Sequence, residues 1–376
     1  MKKKVLIILL FLMSFMLVGC SNSKKPNGKL RYGIYNLGTN LNPFFYESSD
    51  DKTILNLSYL TLFTKDRNGN TLYDIKDMYG KEVDGFVYNA PGSLVYSNDD
   101  GKYLYTITLK DDIYSSMGNL FTINDLIFDF YVLFDPSGEL SRYMNLPVVG
   151  LSEYYNNLTN ENTYNDAHIE GIKKVSNKIM SLEMTRELSN DEKELLNIYL
   201  VPNGNINSEI NISVDYNMFG FEKGNVSSIK NKKINIAATG PYVISSSSEN
   251  KVTLKRNGAY YYGLSKVETV EIIKIVGKKY DEDGYCISGG DPFYQIDEGW
   301  LDFATVDIND TTLNEIPRYN RNNKLVGNAL SLFEIGETKK GIVYSSIRFD
   351  GSNLESLGLT NYHTILDELI NLKLKK

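Results

Sequence analysis

The sequence predicts an α/β (mixed α+β) fold built on a mixed sheet. Three observations carry this expectation. "SLVYSNDDGKYLYTITLK" (Ser93–Lys110) alternates around Asp99-Asp100-Gly101, which is the pattern of a β-hairpin. "FTINDLIFDFYVLFDPS" (Phe121–Ser137) switches to helical spacing, with Ile123, Leu126, Ile127, Phe130, Leu133 and Phe134 on one apolar face. "KVETVEIIKIV" (Lys266–Val276) is a strand far from both. No internal repeat and no heptad run interrupts this mixture.

From the N-terminus, Met1-Lys2-Lys3-Lys4 is basic, and Val5 to Val18 is apolar except for Ser14. That run is short for a membrane span and fits the core of a signal peptide. "LVGC" (Leu17–Cys20) follows directly and resembles the lipobox of bacterial lipoproteins, in which the cysteine is acylated and becomes the new N-terminus. One acyl chain binds a membrane only reversibly, so such an anchor carries more than one. "SNSKKPNGK" (Ser21–Lys29) is polar, with Pro26 and Gly28, and reads as a tether.

The folded part begins with a strand at Leu30–Tyr35, then a Gly/Asn/Pro loop. Apolar residues from Thr53 to Phe63 fall close to helical spacing, and "TKDRNGN" (Thr64–Asn70) is turn chemistry. The Ser93–Lys110 hairpin follows. In the Phe121–Ser137 helix, Thr122 and Asp125 stand at capping-box spacing, and Pro136 blocks continuation. "HIEGIKKVSNKIMSLEMT" (His168–Thr185) is a second hairpin turning at "SNK", and a helix is expected from Asp191 to Leu200. "ATGPYVISSSSENKVTLKRN" (Ala238–Asn257) holds Ser245–Ser248 between two strand-like flanks, so the run is either a linker or a hairpin turn. "GGD" (Gly289–Asp291) is a turn, and "QIDEGWLDFATV" (Gln295–Val306) is a short helix ending at Gly299, then a buried strand.

Composition excludes some functions. The chain has 376 residues and a net charge of −7, which argues against a nucleic-acid surface and so against nucleic acid as a partner. It carries 28 tyrosines, which suit strand packing and binding surfaces alike. With Cys20 acylated, only Cys286 remains, so no internal disulfide is available, and Cys286 reads as a small buried residue. His168 and His363 lack metal-ligand spacing with each other or with a cysteine, so no metal is expected. No phosphate loop, dinucleotide motif, zinc-protease helix or nucleophile elbow is present, and no cofactor is expected. Ser227 and Lys230 form an S-x-x-K spacing without its partner motifs. The chain reads as a binder with no catalytic residues.

Several segments, in order, resemble one family. "GTNLNPF" (Gly38–Phe44) resembles its opening strand and loop, and "YLTLFTKDRNGN" (Tyr59–Asn70) a following segment. "YLYTITLKDDIYSSMGNLFTINDLIFDFYVLFDPS" (Tyr103–Ser137) is the nearest likeness. "ATGPYVISSSSENKVTLKRNGAYYY" resembles the family's Gly-Pro-Tyr hairpin, and "DEGWLDFATV" its Gly-x-Leu-Asp turn, with a fainter echo at "GIVYSSIRFD" (Gly341–Asp350). The family is the peptide-type group of extracellular solute-binding lipoproteins of ABC importers, which includes oligopeptide, dipeptide and nickel binders.

The resemblance implies a periplasmic-binding-protein-like architecture of two lobes with ligand between them. It makes the serine run a hairpin turn and puts the lobe crossing near Gly263–Val267. The expected division is a signal peptide at 1–19, a tether at 20–29, a first lobe at 30–265 with an inserted subdomain at about 48–169, and an incomplete second lobe at 266–376. "NYHTILDELINLKLKK" (Asn361–Lys376) reads as a helix-like tail. By position, Tyr46, Glu47 and Ser48 line the cleft, Tyr46 by stacking and Glu47 by meeting a ligand cation; the alternative is that Glu47 is a solvated loop charge. The implied partners are a peptide or other small solute, an ABC permease and the lipid anchor, at the extracellular face of a Gram-positive type membrane. Two alternatives stay open: a truncated, split or degenerate member without transport function, and a lipid-tethered cell-wall enzyme using Ser227.

Overall fold

The structure is a computed structural model. It describes residues 28–38, 41–46, 48–66, 70–74, 81–83, 86–202, 221–231, 237–265, 267–282, 284, 286–322, 330–335 and 340–345. Cys20, Glu47, His363, the signal and tether segments and the Asn361–Lys376 tail lie outside the described residues, as does the side chain of Cys286.

Strand β1 (Lys29–Ile34) buries Leu30, Tyr32 and Ile34. Helix α1 (Ser49–Ser58) starts earlier than its apolar spacing indicates. Ser48 sets that start: its hydroxyl accepts from Asp51 N at 2.9 Å, and its own N–H donates to Asp51 Oδ2 at 3.2 Å. The helix stops at Tyr59, whose backbone is extended, so Leu60, Leu62 and Phe63 belong to a following extended segment and not to the helix. Two short ladders come next, β2 (Thr64–Lys65) with β3 (Thr71–Leu72) and β4 (Lys81–Val83) with β5 (Phe86–Tyr88). Hairpin β6 (Gly92–Asp99) and β7 (Lys102–Leu109) closes through Asp100 and Gly101, both at positive φ (48° and 79°), as a two-residue primed turn demands.

Helix α2 (Ile123–Phe134) begins where the Thr122 N–H and hydroxyl both donate to Asp125 Oδ2 at 2.8 Å. It is buried on nearly every side, Phe128, Tyr131 and Val132 included, so it is a core helix without the single apolar face the spacing indicates. Short helices α3 (Ser141–Met144) and α4 (Leu151–Leu158) lead into β8 (Ile172–Lys174) and β9 (Ile179–Met184). The helix expected from Asp191 to Leu200 is only α5 (Asn190–Glu194). Beyond it the chain pairs with the segment after α1, Leu62 N donating to Ile198 O and Leu200 N to Leu60 O, each at 2.8 Å. That pairing outweighs helix propensity there.

After α6 (Ser227–Lys230) come β10 (Tyr242–Ser247) and β11 (Lys251–Arg256). Ser245, Ser246 and Ser247 lie in β10 itself, across a bulge; only Ser248 is in the turn, where its hydroxyl donates to Lys251 O at 3.0 Å. The run is therefore strand more than turn. The remaining elements are β12 (Thr269–Lys274), β13 (Lys279–Tyr280), β14 (Cys286–Ser288), α7 (Pro292–Asp297), β15 (Phe303–Asp307), α8 (Asp310–Asn322), β16 (Leu330–Ile335) and β17 (Lys340–Ser345). Gly289 and Gly290, both at positive φ, make the turn before α7, and Asp291 caps it by accepting from Tyr294 N at 2.9 Å.

Two sheets organise the molecule. One has seven strands in the order β10-β11-β12-β1-β15-β17-β16, with β1 parallel to β12 and β15. The other is antiparallel, in the order β6-β7-β9-β8. A single core joins them, from Tyr32 and Ile272 of the first to Tyr105 and Leu182 of the second, and takes in α2. A smaller cluster of Phe293, Ile296, Leu301, Ala304 and Val306 lies on the far face of β15. Strands from both sides of residue 265 share the seven-stranded sheet, so the sheet runs across the expected lobe boundary.

Candidate functional site

A cavity of about 760 Å³ opens where three segments, 43–65, 194–199 and 241–265, converge with Asn89, Leu133, Arg142 and Tyr143. Close backbone packing holds them. A Cβ on Gly240 would sit 2.7 Å from Ser58 C and 2.8 Å from Leu57 O, so only glycine lets the β10 hairpin approach the end of α1. Gly240 N donates to Ser58 O at 2.9 Å. Thr239 ties two walls, its hydroxyl accepting from Leu60 N (3.1 Å) and donating to Leu200 O (2.8 Å). Buried Asn257 fastens the hairpin, its Nδ2 donating to Gly240 O at 2.9 Å and its Oδ1 accepting from Ala259 N at 2.9 Å. The "TGPY" and "KRN" motifs are thus the joints of the cavity.

Tyrosines form its surface. Tyr46 and Tyr59 meet Tyr199 edge-on, at 6.0 and 6.3 Å between ring centroids. The Tyr199 hydroxyl donates to Asn56 Oδ1 at 2.7 Å, fixing the ring against α1. Tyr260, Tyr261 and Tyr262 also line the cavity, with the Tyr260 and Tyr261 ring centroids 5.4 Å apart. The Tyr261 hydroxyl donates to Asn89 O, while Lys110 donates to Asn89 Oδ1 and lies 5.5 Å over the Tyr261 ring. Burial pushes the Tyr261 hydroxyl far above its ordinary range, so it stays a donor.

The charges of the wall are Lys52, Lys65, Arg142 and Glu194. Glu194 is committed: Lys65 Nζ reaches its Oε2 at 2.6 Å, and the Tyr73 hydroxyl donates to its Oε1 at 2.8 Å. Burial pulls its carboxyl up, but the hydrogen bonds from Lys65, Thr71 and Tyr73 outweigh that and hold it below the ordinary value. Behind the cavity lies fully buried Asp129 on α2, whose Oδ2 accepts from Val201 N at 3.0 Å. Burial drives its carboxyl well above the carboxylate range, and burial with the charge of Asp129 raises Tyr59.

Of Tyr46, Glu47 and Ser48, Tyr46 lines this cavity. Ser48 spends its hydroxyl on the α1 cap. Glu47 and Cys20 lie outside the described residues. Ser227 and Lys230 are engaged apart from each other, Ser227 Oγ donating to Asn225 Oδ1 and Lys230 lying 5.9 Å from the Phe45 ring centroid. His168 Nδ1 bonds the Asp166 carbonyl at 2.8 Å. Among the described residues, no group of three or more His, Cys, Asp and Glu side chains could hold a metal ion, and no helix is long and apolar enough to cross a membrane. Sequence reasoning missed Lys52, Asn56, Arg142 and Tyr199. The Tyr260–Tyr262 run was the one visible signal for that part of the wall.

The family model for bacterial extracellular solute-binding proteins, family 5 (middle), matches residues 93–280, half of the chain. Among solved structures, the chain is similar to NikZ from Campylobacter jejuni in complex with Ni(L-His), at 18% identity and a TM-score of 0.52, covering 82% of this chain and 48% of that one. The murein tripeptide binding protein MppA of Escherichia coli is similar at 12% identity and a TM-score of 0.51, covering 82% and 50%. A periplasmic oligopeptide-binding protein, OppAIV, of Borrelia burgdorferi is similar at 15% identity and 0.52, covering 82% and 51%. At these identities the likeness is one of fold: mixed α/β, as in the two-lobe periplasmic binding proteins. The chain spans about half the length of each of these structures. No curated protein matches it in sequence.

Proposed function

The chain belongs to the bacterial extracellular solute-binding proteins of family 5, a family of binders and not of enzymes, and from that premise we propose that it is the membrane-anchored component of an ABC importer that captures peptides. The observation that carries the reading is the tyrosine-lined cavity held by the "TGPY" and "KRN" joints. Its walls are extended segments, Leu60–Thr61 and Ile198–Tyr199, beside flat rings. A peptide recognised through main chain and stacking needs few diagnostic side chains, which suits such a wall. Tyr46 stacks on the ligand and Glu47 meets a ligand cation; Ser48 contributes by holding α1 in place.

In this reading residues 1–19 are the signal peptide, Cys20 carries the lipid and residues 20–29 are the tether to the membrane. The loaded protein docks on a membrane permease. Two measurements test it. Mass spectrometry of small molecules that co-purify with the chain is expected to find peptides; a clean preparation that no peptide pool stabilises against heat overturns the assignment. Cys20→Ala is expected to move the protein from the membrane fraction to the medium, and unchanged fractionation overturns the anchor.

A further inference from the structure

We propose that the cavity selects solutes bearing a carboxylate or other anionic group beside an apolar body, and that Lys52 and Arg142 hold the anion. This rests on the solute-binding reading and narrows it. The first observation is charge. The chain carries −7 overall, yet the described wall of this cavity has three cations against one carboxylate. A cleft of one sign within a protein of the other concentrates field and draws oppositely charged solutes.

The second observation is pairing. Glu194 is consumed by Lys65 and Tyr73, which leaves Lys52 and Arg142 as the charges not balanced within the wall. Among the described residues, neither the Lys52 ammonium nor the Arg142 guanidinium makes a hydrogen bond or ion pair; Arg142 lies 5.0 Å from the centroid of the Tyr143 ring. A guanidinium resting over a ring still has N–H donors to offer a planar carboxylate.

The third is placement. Lys52 stands one helical turn before Asn56 on α1, and Asn56 fixes Tyr199, which meets Tyr46 at 6.0 Å. Arg142 adjoins Tyr143, which lines the same cavity. An apolar body on Tyr46, Tyr143 and Tyr199 therefore has cations within the same wall. A peptide that ends in an acidic residue and a non-peptide aromatic acid share this chemistry.

The test is titration calorimetry on the full chain with three probes: the tripeptide Ala-Phe-Asp, its carboxylate-free counterpart N-acetyl-Ala-Phe-Asn amide, which is neutral, and phenylsuccinate. The acidic tripeptide is expected to bind at least ~10-fold tighter than the neutral one, with the preference shrinking in high salt. Lys52→Gln and Arg142→Gln are each expected to cut that ratio about 5-fold or more while the melting temperature stays near the parent's, since neither side chain packs in the core. Equal affinities in the parent, or a ratio unchanged in both variants, overturns the anion assignment while leaving peptide binding standing. Binding of phenylsuccinate with neither peptide supports the anion assignment and overturns the peptide one. Binding of none of the three overturns both.

Discussion

Asp129 sits in the middle of a core helix with one carboxylate oxygen satisfied and the other, Oδ1, without a hydrogen bond among the described residues. Burial raises its pKa above the ordinary carboxylate value of about 3.9, so the folded state binds the proton more tightly than the unfolded chain. The sign follows from linkage. The group's contribution to stability is complete below the unfolded carboxylate pKa and is lost as pH rises through the raised folded pKa. Asp129→Asn removes the titration and keeps an acceptor for the Val201 N–H. The variant is expected to melt higher than the parent at neutral pH, with the gap closing as pH falls toward the carboxylate range. Thermal melts at a series of pH values check this; a gap that does not change with pH places the titration elsewhere.

At the scale of the element, α1 shows how a cap decides where a wall stands. Its apolar spacing runs from Thr53 into Phe63, yet the helix occupies Ser49–Ser58 because Ser48 and Asp51 start it and Tyr59 turns extended. Asp51 also accepts from Gly38 N at 2.8 Å, and a Cβ on Gly38 would meet its carboxylate at 2.3 Å. The cap therefore anchors the β1 loop as well as the helix. Ser48→Ala is expected to cost about 1 kcal/mol of stability in denaturant titration. Any loss of ligand affinity should be shared by a second cap-breaking change, Asp51→Ala; loss confined to Ser48→Ala would instead mark the hydroxyl as a ligand contact.

Across the whole molecule, one clamp joins strands that are distant in sequence. The Arg31 guanidinium reaches Asp302 through Nε (3.2 Å) and Nη2 (3.0 Å), and Arg31 N donates to the same carboxylate at 2.8 Å. Asp302 is almost fully buried while Arg31 is partly exposed, so removing the carboxylate strands backbone and guanidinium donors together. Asp302→Ala is expected to cost about 2–4 kcal/mol, the lower part of that range reflecting the exposed side of Arg31. Because one core spans both sheets, the loss should lower a single cooperative transition seen alike by near-UV and far-UV circular dichroism. An early separate loss of the seven-stranded sheet would contradict that cooperativity.

The hairpin at Ser93–Lys110, the helix after Thr122 and the turn and helix at Gly289–Asp297 were legible in the sequence, because turn glycines, caps and alternation act within a few residues. The order of family-like segments was legible for the same reason, since each motif is a local joint. Three features were not. The Asp191–Leu200 stretch ends its helix at Glu194, three of the four serines join β10, and the sheet continues past residue 265. The first and last depend on pairing with chain far away in sequence, Leu60–Leu62 and β1, and the serines on the register of β10 against β11, none of which local propensity encodes. The site divides likewise. Tyr46 follows by position from the resemblance and the Tyr260–Tyr262 run stands out by composition, but Lys52 and Tyr199 share a wall only when Gly240, Thr239 and Asn257 draw three segments together, and Arg142 joins them from a fourth. The sequence by itself determined the elements set by local turns and caps, and the family. The tertiary structure alone decided which charges face the cavity, because a side chain's surroundings are set by long-range packing and not by its neighbours along the chain.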